Sequence, residues 1–161
     1  MAVDMFLKLD GINGESKDEK HAKEIDLLAF SWGASQPTHA HIGGGVAAGK
    51  VNVQDLSVTK WVDVASPTLL LNICNGTTIK TGLVTVRKAG GKAPLEYLKI
   101  SFKEILITSY STGGSGGEDR LTENVSFAFD EVKVEYVEQT ATGGAGAQAK
   151  MEWKIAKNTG G

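Results

Sequence analysis

The glycine-rich stretch before residue 51 comes closest to a catalytic or cofactor-binding motif. Gly44, four further residues and then Gly49-Lys50 reproduce most of a phosphate-binding loop, in which backbone N–H groups surround a phosphate and a lysine reaches it. Such a loop needs Ser or Thr next, to bind magnesium, but Val51 follows. The stretch also leads into a strand-like segment rather than a helix. A β-sandwich ligand- or nucleotide-binding module that uses residues 44–50 therefore stays open as the alternative function.

Two histidines have a spacing that could bind a metal ion. His39 and His41 are two residues apart, so on an extended segment both side chains would project from the same side. The third histidine, His21, directly follows a separate charged run, residues 15–20, that is predicted to be an exposed loop. Because no cysteine or carboxylate cluster completes a site, we interpret His39 and His41 as exposed loop residues and predict no metal and no other cofactor.

The remaining reactive side chains do not form a catalytic set. The chain has no G-x-S-x-G or H-E-x-x-H motif. We interpret the acidic pairs Glu118-Asp119 and Glu123/Asp130 as exposed carboxylates that solvate loops or pair with Arg120. Three tryptophans on different predicted strands are interpreted as core or interface residues rather than a stacking platform: Trp32, Trp61 and Trp153. The sequence therefore predicts a protein that is not an enzyme.

Composition excludes several classes of partner. The 161 residues carry a formal net charge of −2, so no basic field attracts nucleic acid. No apolar run approaches the roughly 18 residues of a membrane span. Asp4 stands where a signal peptide needs positive charge, which predicts synthesis in the cytoplasm and, if the protein is exported, a route other than general secretion. The single cysteine, Cys74, cannot form an internal disulfide.

Apolar residues alternate with polar ones along most of the chain, which predicts seven or eight antiparallel strands. The predicted strands begin with residues 3–9 and continue over 24–35, 51–62, 79–87, 96–110, 121–138 and about 151–155. In the second of these, Leu28, Phe30 and Trp32 are predicted to share one face, and Ile25, Leu27, Ala29 and Ser31 to lie on the other. The face carrying Ala29 and Ser31 is the less apolar of the two.

One segment, about residues 65–75, is predicted to be a helix. Ser66 is the expected N-cap, Pro67 the first helical residue, and Asn75-Gly76 the stop signal. Cys74 lies on its apolar stripe and is predicted to be a packed thiol rather than a nucleophile.

In two long predicted strands, the alternation of apolar and polar residues shifts by one position midway. The apolar positions switch parity around Asp130-Glu131 and again around Lys103-Glu104. Such one-residue shifts in two neighbouring strands are typical of a strongly coiled or closing sheet, in which a β-bulge accommodates the extra residue. We therefore predict a mainly β fold, a compact antiparallel β-barrel or two-sheet sandwich with one short helix, as a single domain over residues 1–161.

Glycine is concentrated in loops between the predicted strands. The chain has 20 glycines, most of them in residues 43–49, 88–92, 113–117 and 143–146. Loops this rich in glycine are costly to order. We expect a neighbouring subunit to order them.

Longer stretches resemble a known family. The segments STGGSGGEDRLTENVSFAFDEVKVEY (111–136), GESKDEKHAKEIDLLAFSWG (14–33), GKVNVQDLSVTKWVD (49–63) and VRKAGGKAPLEYLKI (86–100) are similar, in collinear order, to the Hcp proteins (haemolysin-coregulated proteins) of bacterial type VI secretion systems. The resemblance covers essentially the whole chain. It implies a small two-sheet β-barrel with a helix at one side and six copies in a ring with a central channel.

The same resemblance implies partners. Rings would stack into the inner tube of a contractile apparatus, with a surrounding sheath and a VgrG-type spike protein, and the channel would carry and stabilise small effector proteins. Contraction would expel the tube, which agrees with export without a cleaved signal peptide. The chain stops at Gly161, directly after its last predicted strand, so no C-terminal effector extension is expected.

Candidate functional residues follow from that ring. Ser31, with Ala29 on the same strand face, is predicted to face the channel and contact cargo, the alternative being small residues packed under the helix. Loops at strand ends lie on the rims of a barrel-like subunit. The predicted ring-stacking or subunit-contact residues are Gly43, Gly44, Gly45, Gly49, Lys88, Gly90, Gly91, Gly113, Gly114, Glu118, Asp119, Arg120, Lys154 and Lys157.

Overall fold

Eleven strands and one helix occupy residues 3–38, 48–88 and 94–161, the part of the chain that the computed structural model describes. The elements in chain order are β1 (Val3–Leu9), β2 (Ile25–Leu27), β3 (Ala29–Ser31), β4 (Ala34–Ser35), β5 (Asn52–Val53), β6 (Leu56–Trp61), α1 (Ser66–Asn75), β7 (Thr78–Lys88), β8 (Glu96–Thr112), β9 (Thr122–Gln139), β10 (Ala145–Lys154) and β11 (Thr159–Gly160). The predicted mainly β class with one short helix is confirmed.

The main sheet branches at β9. Its antiparallel order is β11-β10-β9-β8-β7-β1-β2, while β6 joins β9 to β3, and β4 and β5 form a separate pair. On one side β9 pairs along most of its length with β8. On its other side it pairs first with β6, up to Phe127, and from Glu131 onward with β10. The sheet can therefore bend around one apolar core, which includes Leu7, Val84 and Phe102.

The sheet bends where the alternation of buried and exposed positions shifts by one residue. Phe129 and Val132 on β9 are both buried although three positions apart, as are Phe102 and Ile105 on β8. Between the latter two, Glu104 has a positive φ of 54°, a conformation that is uncommon for a residue with a side chain. Both predicted phase changes are confirmed.

The predicted strand over residues 24–35 is wrong as a single strand. Ile25 and Leu27 of β2 are buried and β2 pairs with β1, whereas β3 pairs with β6. At this crossing Leu28 donates its N–H to the carbonyl of Thr59 at 2.8 Å, and its side chain is 41% exposed. Leu28 therefore does not share an inward face with Phe30, because the chain changes sheet branch at this residue.

The helix is confirmed, with two corrections at its ends. Ala65, not Ser66, occupies the N-cap position, and the Ser66 hydroxyl accepts the N–H of Asp63 at 2.9 Å instead. Gly76 ends the helix in the left-handed region at φ 67°, as predicted. Cys74 is exposed, so the packed thiol is wrong: α1 presents Leu69 to the core and turns Cys74 outward.

Two opposite charges lie inside the core beside α1. Lys60 on β6 and Glu123 on β9 are fully buried and form an ion pair across the two strands. Lys60 Nζ also lies 2.8 Å from Asp63 Oδ1, and Ser66 Oγ donates to Glu123 Oε1 at 2.6 Å. The interpretation of Glu123 as an exposed carboxylate is wrong, because burial is tolerated when a charge is paired and hydrogen-bonded.

Candidate functional site

A four-stranded part of the sheet, in the order β3-β6-β9-β8, presents an outward face made of small uncharged side chains. Cross-strand pairing builds two rows, because residues opposite each other in antiparallel strands share a face. We call this surface the hydroxyl face, and its members are Ser31, Ser57, Ser126 and Ser109 in one row and Ala29, Thr59, Asn124 and Ser111 in the other. All eight are at least partly exposed.

Hydrogen bonds between strands order this face. Ser57 Oγ lies 2.8 Å from Ser126 Oγ, and Thr59 Oγ1 donates to Asn124 Oδ1 at 2.7 Å. The period of two places these residues outward because their sequence neighbours, such as Val58 and Val125, fill the core. The result is a polar surface with no charge at any of its eight positions.

Ser31 and Ala29 both lie on the hydroxyl face and both are exposed. That these two share a strand face is confirmed, but Ile25 and Leu27, predicted to lie on the same face, are buried because the chain changes sheet branch at Leu28. The contact of Ser31 and Ala29 with a channel stays a prediction. They are not packed beneath α1, the alternative interpretation, since that helix packs against β8.

Among the described residues, the four-stranded region ends in two strand edges without a further hydrogen-bonded strand. At one end, β3 pairs with β6 alone among the described residues. At the other, the pairing of β8 with β7 runs only as far as Leu106, so within the described chain residues 107–112 have a partner strand, β9, on one side only. Unpaired edges of this kind offer backbone N–H and C=O groups to another chain.

Two predicted rim positions lie at opposite ends of β10. Lys88 Nζ donates to Gln139 Oε1, and Gln139 pairs with Ala145, the first residue of that strand. Lys154 is its last residue, and Lys157 is exposed in the turn that follows. Ten extended residues span about 33 Å, so Lys88 is far from the Lys154/Lys157 turn.

The loop after β8 makes several contacts within its own subunit. The Arg120 guanidinium lies 4.6 Å from the centre of the Trp61 ring, and Glu118 and Asp119 line the same shallow depression. Gly114 lies directly against the Leu121 side chain, whereas Gly113 has open space around it. The turn at 140–144 is also closed internally, since Thr140 Oγ1 accepts the N–H of Gly144 at 3.1 Å.

The glycine-rich stretch before residue 51 is described only in part. Gly49 donates its N–H to the Pro37 carbonyl at 3.0 Å, and the chain then enters β5 rather than a helix. A phosphate-binding loop would need a helix there, with free N–H groups at its start. The other predicted positions in these loops lie outside the described residues: Gly43, Gly44, Gly45, Gly90, Gly91, His39 and His41.

Sequence reasoning missed the buried charges near this surface, although a signal existed. Lys60 continues the core-facing parity of Leu56 and Val58, and Glu123 has the parity of Val125. A charge at an inward position in each of two strands predicts an internal pair. His21, also missed, is buried at 7% exposure despite its charged surroundings.

The described residues contain neither a candidate metal site nor a helix that could span a membrane. No group of three or more His, Cys, Asp or Glu side chains there could hold a metal ion. Within those same ranges, no helix is long and apolar enough to cross a membrane.

Comparisons with known proteins agree with the fold. Residues 6–136 match the family described as "Type VI secretion system effector, Hcp". The chain is 54% identical over 159 residues to "Protein hcp1" from Pseudomonas aeruginosa, covering 98% of both. It superposes with a TM-score of 0.93 on a structure of a type six secretion system protein, at 34% identity over 99% of this chain and 100% of that one. Hcp1 from Salmonella typhimurium gives a TM-score of 0.83 at 37% identity, covering 99% of both chains.

Proposed function

The chain belongs to the Hcp family of type VI secretion tube proteins, and on that premise we propose that it forms a hexameric ring with the hydroxyl face lining the channel. Hcp proteins are structural, secreted components of the tube. Rings of this chain stack into the inner tube, which sheath contraction expels together with a VgrG-type spike. The channel carries and stabilises small effector proteins. The protein is made in the cytoplasm and leaves through the apparatus that it helps to build.

The two free edges carry the proposal for the ring. A closed ring of identical subunits uses heterologous contacts, so each copy needs two different surfaces. The β3 edge and the 107–112 edge of β8 lie at opposite ends of the same four strands. Placing the β3 edge of one copy beside the β8 edge of the next continues the sheet around the ring. Both edges of the four-stranded region are then covered, and the hydroxyl face of each subunit joins that of its neighbours.

The chemistry of the hydroxyl face suits a channel wall. Short side chains with hydroxyl and amide groups neither repel nor trap a charged polypeptide, and they leave the channel wide. Ser31 and Ala29 are its members nearest the free β3 edge. We assign them to contact with cargo, where the Ser31 hydroxyl can donate or accept one hydrogen bond.

Stacking of rings uses the two ends of the subunit. Because Lys88 and the Lys154/Lys157 turn lie at opposite ends of β10, one can form part of an upper rim and the other part of a lower rim. A head-to-tail stack then brings the turn of one ring against the Lys88 end of the next. The loop 113–120 lies beside the β8 edge and contacts the adjacent subunit within a ring.

The first experiment measures mass and shape. A subunit of 17.0 kDa predicts about 102 kDa for six copies by light scattering after size exclusion, with hollow rings in negative stain. In a Cys74→Ser background, Ala29→Cys combined with Ser111→Cys should give disulfide-linked ladders up to six subunits, while either cysteine alone stops at dimers or below. A stable monomer would refute the ring, and hexamers without a ladder would refute this pairing of edges.

The second experiment tests the channel assignment. Ser31→Lys should leave the hexamer intact and reduce the recovery of a small effector protein co-expressed with the ring. Gln148→Lys makes the same charge change on the exposed surface of β10 and should not affect recovery. Equal recovery with Ser31→Lys and with Gln148→Lys would refute the assignment of Ser31 to the channel.

A further inference from the structure

His21 is held by contacts on its ring face and at both ring nitrogens. The imidazole stacks on Phe6 with 4.4 Å between ring centres and 11° between planes. Nδ1 lies 2.8 Å from Glu24 Oε2, and Nε2 lies 2.6 Å from Glu96 Oε1. The His21 side chain is only 9% exposed, and those of Glu24 and Glu96 are 12% and 25% exposed.

Both carboxylates can be satisfied only by a doubly protonated ring. A neutral imidazole carries one N–H and one lone pair, whereas the imidazolium donates from both nitrogens. With a neutral ring, one carboxylate at hydrogen-bond distance would face a lone pair in a poorly hydrated site. We propose that His21 is a proton-operated latch, which as imidazolium holds the segment 13–24 against the start of β8 and on deprotonation releases it.

The charged groups around the His21 ring stabilise the contact between the segment 13–24 and β8 only while the ring is doubly protonated. The groups that face it from the segment, β8, β1 and β7, directly or through one neighbour, are Glu24, Asp18, Glu96, Lys99, Asp4 and Arg87. Four of these are acidic and two are basic, so loss of the imidazolium charge leaves the cluster with two uncompensated negative charges. Glu24 Oε1 is already buried without a hydrogen-bond partner, which raises the cost of that loss.

Besides His21, the segment 13–24 is attached to the rest of the subunit by Asp18 and by Glu15, whose Oε2 accepts the N–H of Val64 at 2.6 Å. Its internal backbone hydrogen bonds include one from the N–H of Gly14 to the Lys23 carbonyl at 2.8 Å and one from the N–H of Lys23 to the Ser16 carbonyl at 2.8 Å. Asp18 adds a second attachment, because its carboxylate binds Arg87 of β7. The imidazolium is thus the link from this segment to β8, and its release is expected to open those internal bonds locally.

The test combines ring protonation with local opening in the complete, assembled protein. Nitrogen NMR of the His21 ring should find both nitrogens protonated at about pH 6. Amide exchange, expressed as protection factors to remove the intrinsic pH effect, should show the protection of Gly14 and Lys23 falling at least about tenfold by about pH 9. Protection of Val84 in the core should not change. A singly protonated ring at about pH 6, or unchanged protection of Gly14 and Lys23, overturns the latch.

Glu96→Gln separates a latch from a merely structural histidine. A glutamine can donate its amide N–H to a neutral Nε2 while Nδ1–H donates to Glu24, so this variant should keep its protection factors at both pH values. Glu131→Gln, which removes a carboxylate 3.7 Å from Lys103 on the outer surface, should lose protection as the unchanged protein does. If Glu96→Gln shows the same pH-dependent fall as Glu131→Gln, the proposal is wrong.

Discussion

The buried ion pair between Lys60 and Glu123 allows a quantitative prediction. Removing one member of a buried pair leaves the other charge without compensation, at about 3–5 kcal/mol. For Glu123→Gln the cost is at the lower end, about 3 kcal/mol, because Asp63 still lies 2.8 Å from Lys60 Nζ. For Lys60→Met it is higher, about 4 kcal/mol, because Glu123 and Asp63 then lack their shared cation.

The double variant Lys60→Met/Glu123→Gln distinguishes a coupled pair from two independent sites. Independent effects would sum to about 7 kcal/mol, whereas contacting residues couple by up to about 3 kcal/mol. We therefore expect about 4 kcal/mol for the double variant. The measurement is the free energy of unfolding in urea at one fixed protein concentration, because assembly contributes to apparent stability.

An exposed pair supplies the control. Lys103 and Glu131 lie 3.7 Å apart, with the Lys103 side chain 66% exposed, and Lys103→Met should cost less than about 1 kcal/mol. A Lys60→Met variant no less stable than Lys103→Met would refute the reasoning. So would a double variant whose cost equals the sum of the single ones, since the two charges would then not stabilise each other.

Three further predictions concern single groups. Burial raises the pKa of Tyr110 to about 12, so stability should decline as pH rises from about 10 to about 12, less steeply in Tyr110→Phe, as followed by circular dichroism. The hydrogen bond from Arg87 holds the pKa of Asp18 below its usual 3.8, so the stability it adds is lost only as pH falls below that value, and Arg87→Met should shift acid unfolding to higher pH. Gly14→Ala would place Cβ 2.5 Å from a backbone oxygen and should lower the melting temperature by several degrees, whereas Gly117→Ala, with nothing within 4 Å, should not.

Local patterns were enough to predict the elements that alternate regularly. The helix over 66–75 follows from Pro67 and Gly76, which restrict the backbone wherever they occur. The bends in β8 and β9 follow from the parity of residues such as Phe129 and Val132, because a side chain must change face when the period of two is interrupted. These inferences depend only on residues that are close to one another in the sequence.

Local patterns do not predict which strands pair with each other. The run from Ile25 to Ser31 reads as one strand, yet β2 pairs with β1 and β3 with β6, and no local residue specifies a partner far away in sequence. The hydroxyl face is another case. Ser31, Ser57 and Ser126 are unremarkable individually and become one surface only when β3, β6 and β9 align in register.

Residue types and short-range spacing are sufficient to predict the β class, the helix, the family resemblance and the shared face of Ala29 and Ser31. Long-range packing, by contrast, pairs Lys60 with Glu123, places His21 between Glu24 and Glu96, and turns Cys74 outward. The burial and pairing of a charged or reactive side chain depend on which distant element packs against it. That choice is made by the whole core at once rather than by any local segment.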